Sequence, residues 1–255
     1  MRRHFICFHP LEREILLRNG IGMERLKLEG NMRLSFSGER ECIGYRGEEA
    51  HFECPNRAIN TKQCSTCSFR DISRIYTVGD FSNYHHIEDE LEKETYCVYL
   101  AGFGEDIVKC GITRKERLKE RFLEQGADFG CCLMEMKGPA EVYGIEKRMQ
   151  LNFGFANAVF MKQKTARLEF EHGKGRENFE KAVKKVRETG VFGEFLWEGE
   201  VIELEEKYPK VRRAEESDNI FGEVLGNKGA LLFWKGEEGK EYFTNMKNKE
   251  GRFIE

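Results

Sequence analysis

Cys42, Cys54, Cys64 and Cys67 stand as C-x11-C-x9-C-x2-C, and this set restricts the folding of the chain more than any other feature. Gly44, Gly47 and Pro55 supply turns between the cysteines, and the closing Cys64-Ser65-Thr66-Cys67 knuckle has the spacing that lets two thiolates point at one ion. Four thiolates at about 2.3 Å form the closed, structural kind of zinc site, with no position left for water. Such a site folds its segment, and in small modules its binding is worth about 10–16 kcal/mol. Neither common ferredoxin spacing is present, which disfavours an iron–sulfur cluster. His51 is an alternative ligand in place of one cysteine, and four ordinary cysteines is the plain alternative. The nine cysteines of the chain are odd in number and unevenly spread, as expected for metal ligands plus buried thiols in a reducing compartment. Cys97 and Cys110 read as small buried hydrophobes, and the neighbours Cys131 and Cys132 face opposite sides of a strand.

With 255 residues, 40% hydrophobic and 34% charged, the chain can bury a real core in one large or two to three small domains. Its apolar runs fall far short of the roughly 18 residues of a membrane span, and no hydrophobic signal region follows the Met-Arg-Arg start. A cytoplasmic protein with no membrane partner is expected. A formal charge of -3 argues against wholesale coating of DNA, so any nucleic-acid contact falls to a local patch.

Such a patch sits in the segment Tyr96–Ala127. Tyr96–Phe103 and Ile107–Ile112 are apolar runs separated by the turn residues Gly104–Asp106, which predicts a β-hairpin. A helix follows, with Thr113 as its cap, Glu116 three residues on, Leu118 and Phe122 inward, and Gly126 as its stop. Six Lys or Arg face only Glu116 and Glu120 between Ile107 and Arg121. Lys109, Arg114, Lys115, Arg117 and Arg121 are therefore the candidate nucleic-acid contacts, suited to phosphate. Asp128–Lys137 reads as a third strand and Ala140–Phe153 as a helix with Val142, Ile145, Met149 and Phe153 inward. Glu146 lies at the edge of that apolar face, where a carboxylate needs a partner, either Arg121 or a divalent cation.

Elsewhere the pattern is coarser. Residues 1–22 are ambiguous, with a short helix over Leu11–Asn19 as one reading. Leu26, Leu28, Leu34 and Phe36 suggest two half-exposed strands joined at Gly30-Asn31, and Asp71–Asn83 looks extended. His85-His86 and the acidic run Ile87–Glu94 read as a linker and helix turn able to shield the basic helix. Phe160–Arg187 holds nine Lys or Arg against four Glu; its second half is an amphipathic helix with Phe179, Val183 and Val186 inward, its polar face a candidate backbone-tracking surface. Trp197–Lys207 is acidic and strand-like. From Ile220 short strands return, with Phe233, Trp234, Tyr242 and Phe243 either stacking on bases or, more simply, filling the core.

The order of aromatic strand, turn, strand ending in Lys109-Cys110-Gly111-Ile112-Thr113, arginine helix and later glutamate resembles the GIY-YIG nuclease superfamily, in particular its branch with a KxGIT second strand. The whole chain from residue 26 on also resembles an uncharacterised prokaryotic domain family of unknown function, through Glu41–Gly47, Gln63–Cys67, Gly111–Thr113, Glu124–Ala127, Gly222–Phe233, Tyr242–Asn245 and a late glycine. The nuclease resemblance implies Tyr99 as the tyrosine of the first motif, Lys109-Cys110-Gly111 as the second motif, Arg121 or Arg117 as the helix arginine, and Glu146 as ligand to a catalytic Mg2+ or Mn2+. In that superfamily the ion stabilises the phosphate, a tyrosine helps activate water and the arginine neutralises developing charge. Two positions depart from the pattern: Cys97 replaces the glycine of the first motif, and Lys109 replaces the second tyrosine.

The expectation is an α+β protein in three parts. Residues 1–83 form a β-rich domain with a structural Zn2+ on the four cysteines. Residues 84–190 form a GIY-YIG-like domain with a three-stranded sheet flanked by helices, and residues 191–255 a small β-rich module. The function expected is binding of DNA or RNA with metal-dependent phosphodiester hydrolysis. The alternative is a non-catalytic, zinc-containing RNA-binding or assembly module that retains the fold without cleavage.

Overall fold

Thr95–Phe103 (β1) is apolar on both sides, the pattern of a strand covered on both faces. In the computed structural model, which describes residues 2–190 and 199–255, it is a central strand of the unit formed by residues 86–213. Ile107–Arg114 (β2) pairs with it as an antiparallel hairpin from Phe103↔Ile107 to Tyr96↔Arg114. The helix Leu118–Gln125 (α1) follows a 3-10 turn at Lys115–Arg117 and ends at Gly126. Phe129–Lys137 (β3) returns along the other side of β1. The helices Pro139–Phe153 (α2) and His172–Glu188 (α3) complete the unit, with the short strand Ile202–Glu203 (β4) on the outer side of β3. The sheet order is β4-β3-β1-β2.

Its two faces carry separate cores. On one, Tyr96, Val98 and Leu100 meet Val142, Ile145 and Met149 of α2 and Phe179, Val183 and Val186 of α3. On the other, Tyr99, Ala101 and Phe103 meet Phe122 and Leu118 of α1. The inward residues read from helical spacing are thus the ones buried, apart from Leu118 and Phe153, which are partly buried. Thr113 is not the cap of α1; it lies in β2, and the 3-10 turn begins after Arg114 without a side-chain cap.

The other unit joins residues 1–85 to residues 214–255, so the C-terminal strands do not stand as a module of their own. Arg252–Ile254 inserts between Arg3–His9 and Phe36–Arg40 in one five-stranded sheet, and Gly30–Leu34 pairs with Ile220–Lys228 in the second. A short meander alone would leave its edges open, and Gly30–Leu34 covers the one that Ile220–Lys228 presents. The helix read over Leu11–Asn19 is instead the strand Glu14–Arg18, because Ile15 and Leu17 are buried with period two. Met23–Lys27 and Gly30–Leu34 are strands, but they enter different sheets and form no hairpin. Phe233, Trp234 and Phe243 are buried, and Trp234 stacks on Tyr242 at 4.5 Å, which makes them core.

Asp71–Asn83 is not extended. Ser65–Arg70 and Ser73–Val78 are helices, and Asp71 accepts the backbone N–H of Ser73 at 3.0 Å at the start of the second. Of Trp197–Lys207, the described part holds β4 and a 3-10 turn at Glu205–Lys207, and its first two residues lie outside the described residues. Among the described residues no helix is long and apolar enough to cross a membrane.

Candidate functional site

The four predicted cysteines come together. Their Sγ atoms all lie within 4.8 Å of one another; Cys42, Cys54 and Cys67 are buried and Cys64 is half-buried. Tetrahedral ligation at about 2.3 Å gives a sulfur–sulfur edge of about 3.8 Å, the separation of Cys54 and Cys64, 3.8 Å. The backbone is folded to serve sulfur: the N–H groups of Gly44 and Cys64 point at Cys42 Sγ at 3.5 and 3.3 Å. Gly44 is required here, since its φ is +89° and a Cβ would fall 1.9 Å from the Phe52 carbonyl oxygen. Cys64 opens the helix Ser65–Arg70, which presents the Cys67 N–H to the Cys64 thiol and draws that thiol down to about 7. Burial pushes Cys42 and Cys67 up. Two thiols that resist ionisation beside one that favours it are matched to a cation that compensates thiolate charge. The set can hold one metal ion such as zinc.

Asp71 ties the module shut. It accepts from Arg46 N, Ser73 N and Gln63 Nε2, while Gln63 also reaches the Gly44 carbonyl at 2.9 Å. Burial pushes the Asp71 carboxyl up, but these donors outweigh it and hold it below the usual range. His51 is not among the clustered ligands; its Nδ1 accepts from Arg18 at 3.1 Å.

A second cluster forms on the α1 face of the central sheet. Tyr99 points from β1 at Phe122, edge to face with ring centroids 5.2 Å apart, and is 1% exposed. Its hydroxyl accepts from Gln125 Nε2 at 2.6 Å and from Arg121. Lys109 of β2 lies with its Nζ 5.9 Å from the Tyr99 ring centre and donates to the Cys110 carbonyl at 3.1 Å. Glu146 of α2, half-buried, interacts electrostatically with both Lys109 and Arg121. Tyr99, Lys109 and Arg121 therefore meet, one from each of β1, β2 and α1, and Glu146 acts electrostatically on the two cations from α2. Burial pushes Tyr99 and Glu146 up and Lys109 down; for Glu146 the two cations oppose that rise. Arg121 stays charged, held up by Tyr99 and Glu124 against burial.

Arg117 is not brought into this group. It lies at the surface between Glu120 and Glu124, at 3.3 and 2.5 Å, so Arg121 is the helix arginine that meets Tyr99. The expected basic patch is largely neutralised: Arg114 pairs with Glu94 at 2.7 Å, Lys115 with Glu135 at 2.6 Å and Arg121 with Glu124 at 3.1 Å. Glu94 closes the acidic run read as a shield. The α3 surface is similar, with Lys174, Arg176, Lys181 and Lys184 each paired to a glutamate. Gln125 was missed from the sequence, although it follows Arg121 by one helical turn and so shares its stripe.

Comparison with curated proteins and with solved structures finds no match. The profile of a family described as a protein of unknown function, DUF2797, matches residues 30–252, a range that contains both the four cysteines and the central cluster. The chain belongs to the DUF2797 family.

Proposed function

We propose that the central unit is a GIY-YIG-like nucleic-acid-binding domain that cleaves a phosphodiester with a divalent ion. The observation that carries this reading is the meeting of Tyr99, Lys109 and Arg121 from three separate elements, with Glu146 of a fourth acting electrostatically on both cations. The hairpin, helix, strand and helix order of the unit supports it too. Arg121 and Lys109 set two cations beside one half-buried carboxylate, an arrangement that accepts a phosphate when the carboxylate is occupied by a metal. Glu146 would hold Mg2+ or Mn2+, which supplies Lewis-acid stabilisation of the phosphoryl oxygens. Lys109, its pKa lowered by burial, stands where the superfamily has a phenol and is placed to take or give a proton. The four-cysteine centre, filled by zinc, folds its own segment and takes no part in the chemistry.

The test is a panel of single- and double-stranded DNA and RNA with Mg2+ or Mn2+. Cleavage is expected, and Glu146→Gln and Arg121→Ala should each lower it by about 10²–10³ or more, with affinity for the uncleaved strand nearly intact in Glu146→Gln and reduced in Arg121→Ala, which removes a phosphate contact. Binding should weaken with salt in proportion to the phosphates contacted.

A second reading has its own support. Tyr99 is 1% exposed and Glu146 already faces two cations, as in a structural ion-pair network, so the unit would bind without cutting. Salt-dependent binding with no cleavage of any substrate establishes that reading. Absence of binding to all four substrates overturns both.

A further inference from the structure

Cys97 and Cys132 read from the sequence as unrelated buried side chains. In the fold they are neighbours on adjacent antiparallel strands, 0% and 8% exposed. Cys132 and Glu135 are three residues apart on β3, which in a regular strand sets them on opposite faces. Here the register slips: Cys132 stands opposite Tyr99, Met134 opposite Val98, and Glu135 opposite Cys97. One extra residue in β3 thus turns Glu135 onto the face that already carries Cys97, Tyr99 and Cys132. As a result one ligand atom each from Cys97, Cys132 and Glu135 lies within 4.8 Å of the others. Lys115 holds Glu135 from the solvent side at 2.6 Å; a carboxylate has a second oxygen for another partner.

We propose that Cys97, Cys132 and Glu135 form a second metal site, separate from the four-cysteine centre, that takes a zinc-like divalent ion and keeps one coordination position for an exogenous ligand. Two sulfur donors select a borderline or soft ion over Mg2+. Three protein ligands are the number that leaves a tetrahedral ion one position for water or a small anionic ligand. Charge supports the same ion. On binding, both thiols release their protons; two thiolates and one carboxylate around a divalent cation leave a single negative charge, which Lys115 neutralises. The four-thiolate centre, by contrast, is saturated. The proposal does not rest on nucleic-acid cleavage.

The test is titration of the full-length, metal-stripped protein with Co2+ under a non-thiol reductant, following thiolate-to-cobalt charge transfer and ligand-field absorption. Wild type should bind two thiolate-ligated equivalents. Cys132→Ser should bind one, with the spectrum of the four-thiolate centre retained. Glu135→Gln, which keeps the shape of the side chain and both thiols, should weaken only the second equivalent, by about 10–100-fold or more. Cys64→Ser should disturb only the first. One equivalent in wild type, or a second equivalent unchanged in either Cys132→Ser or Glu135→Gln, overturns the proposal. Circular dichroism of each variant separates lost binding from lost fold, and the Glu135→Gln result stands alone should Cys132→Ser not fold.

Discussion

At Gly111 a single hydrogen atom decides the shape of the central cluster. A Cβ there would lie 2.5 Å from the Tyr99 hydroxyl oxygen and 3.0 Å from Lys109 Nζ, so Gly111→Ala must displace the tyrosine. The expected cost is about 1–3 kcal/mol of overpacking, read in thermal melts, together with loss of the Tyr99–Gln125 contact; an unchanged melt would show that Tyr99 is free to move. The glycine was visible in the sequence as part of a motif, but its reason, a phenol laid across it from the paired strand, was not. His51 carries a pH prediction. Burial and the nearby Arg18 depress its folded pKa to about 4, below the ordinary value of about 6.5. A depressed histidine contributes stability that is present above the unfolded pKa and lost as pH falls through the folded one. His51→Gln should therefore flatten the decline in melting temperature between about pH 6.5 and 4, with the difference from wild type isolating this group from acid release of metal. Equal slopes in both proteins would reject the assignment. The clustering of Cys97, Cys132 and Glu135 could not be read in advance, because strand alternation sends two of them to opposite faces and a bulge leaves no mark in composition.

Elements were legible where periodicity was strong. β1, β2, β3 and α2 fall at or within a residue or two of their expected bounds, each set by an apolar stripe or an apolar run, and α3 begins three residues before the Gly175 expected. Short elements were not: Ser65–Arg70 and Ser73–Val78 are 6 residues each, too brief to show a stripe, and helices of that length are marginal without outside support. The four-cysteine cluster, which can hold a metal ion, is placed to give that support. Cys64 and Cys67 belong to the first of these helices or its cap, so removing the ion should release residues 42–78 while the central sheet persists. Hydrogen exchange before and after chelation is the measurement, with loss of protection confined at first to this segment. Simultaneous loss across β1 and β3, or none in the segment, would contradict the structural role.

On the scale of the whole molecule, β-rich ends around a mixed αβ centre were legible in the sequence, but the partners of the outer strands were not. Which distant strand Phe36–Arg40 would choose is a matter of long-range pairing, and alternation in a five-residue segment carries no address. The answer is a unit built from both ends of the chain, and it makes a truncation prediction. A chain stopped after Arg213 removes Arg252–Ile254 from beside Arg3–His9 and Ile220–Lys228 from beside Gly30–Leu34, so residues 1–85 should become protease-sensitive while residues 86–190 stay resistant. Survival of the N-terminal strands in that digest would show that they need no C-terminal partner. The same interleaving sets a schedule on the ribosome. The partners of Gly30–Leu34 and Phe36–Arg40 lie in residues 214–255, behind the 128 residues of 86–213 (213 minus 85), a stretch that takes roughly 6–26 s at ordinary elongation rates. Through that interval Gly30–Leu34 and Phe36–Arg40 wait with bare edges, and the cysteine module, whose ligands are all made by residue 67, is a part of this unit able to close early around an ion, a local knot tied before the rest of the fabric arrives.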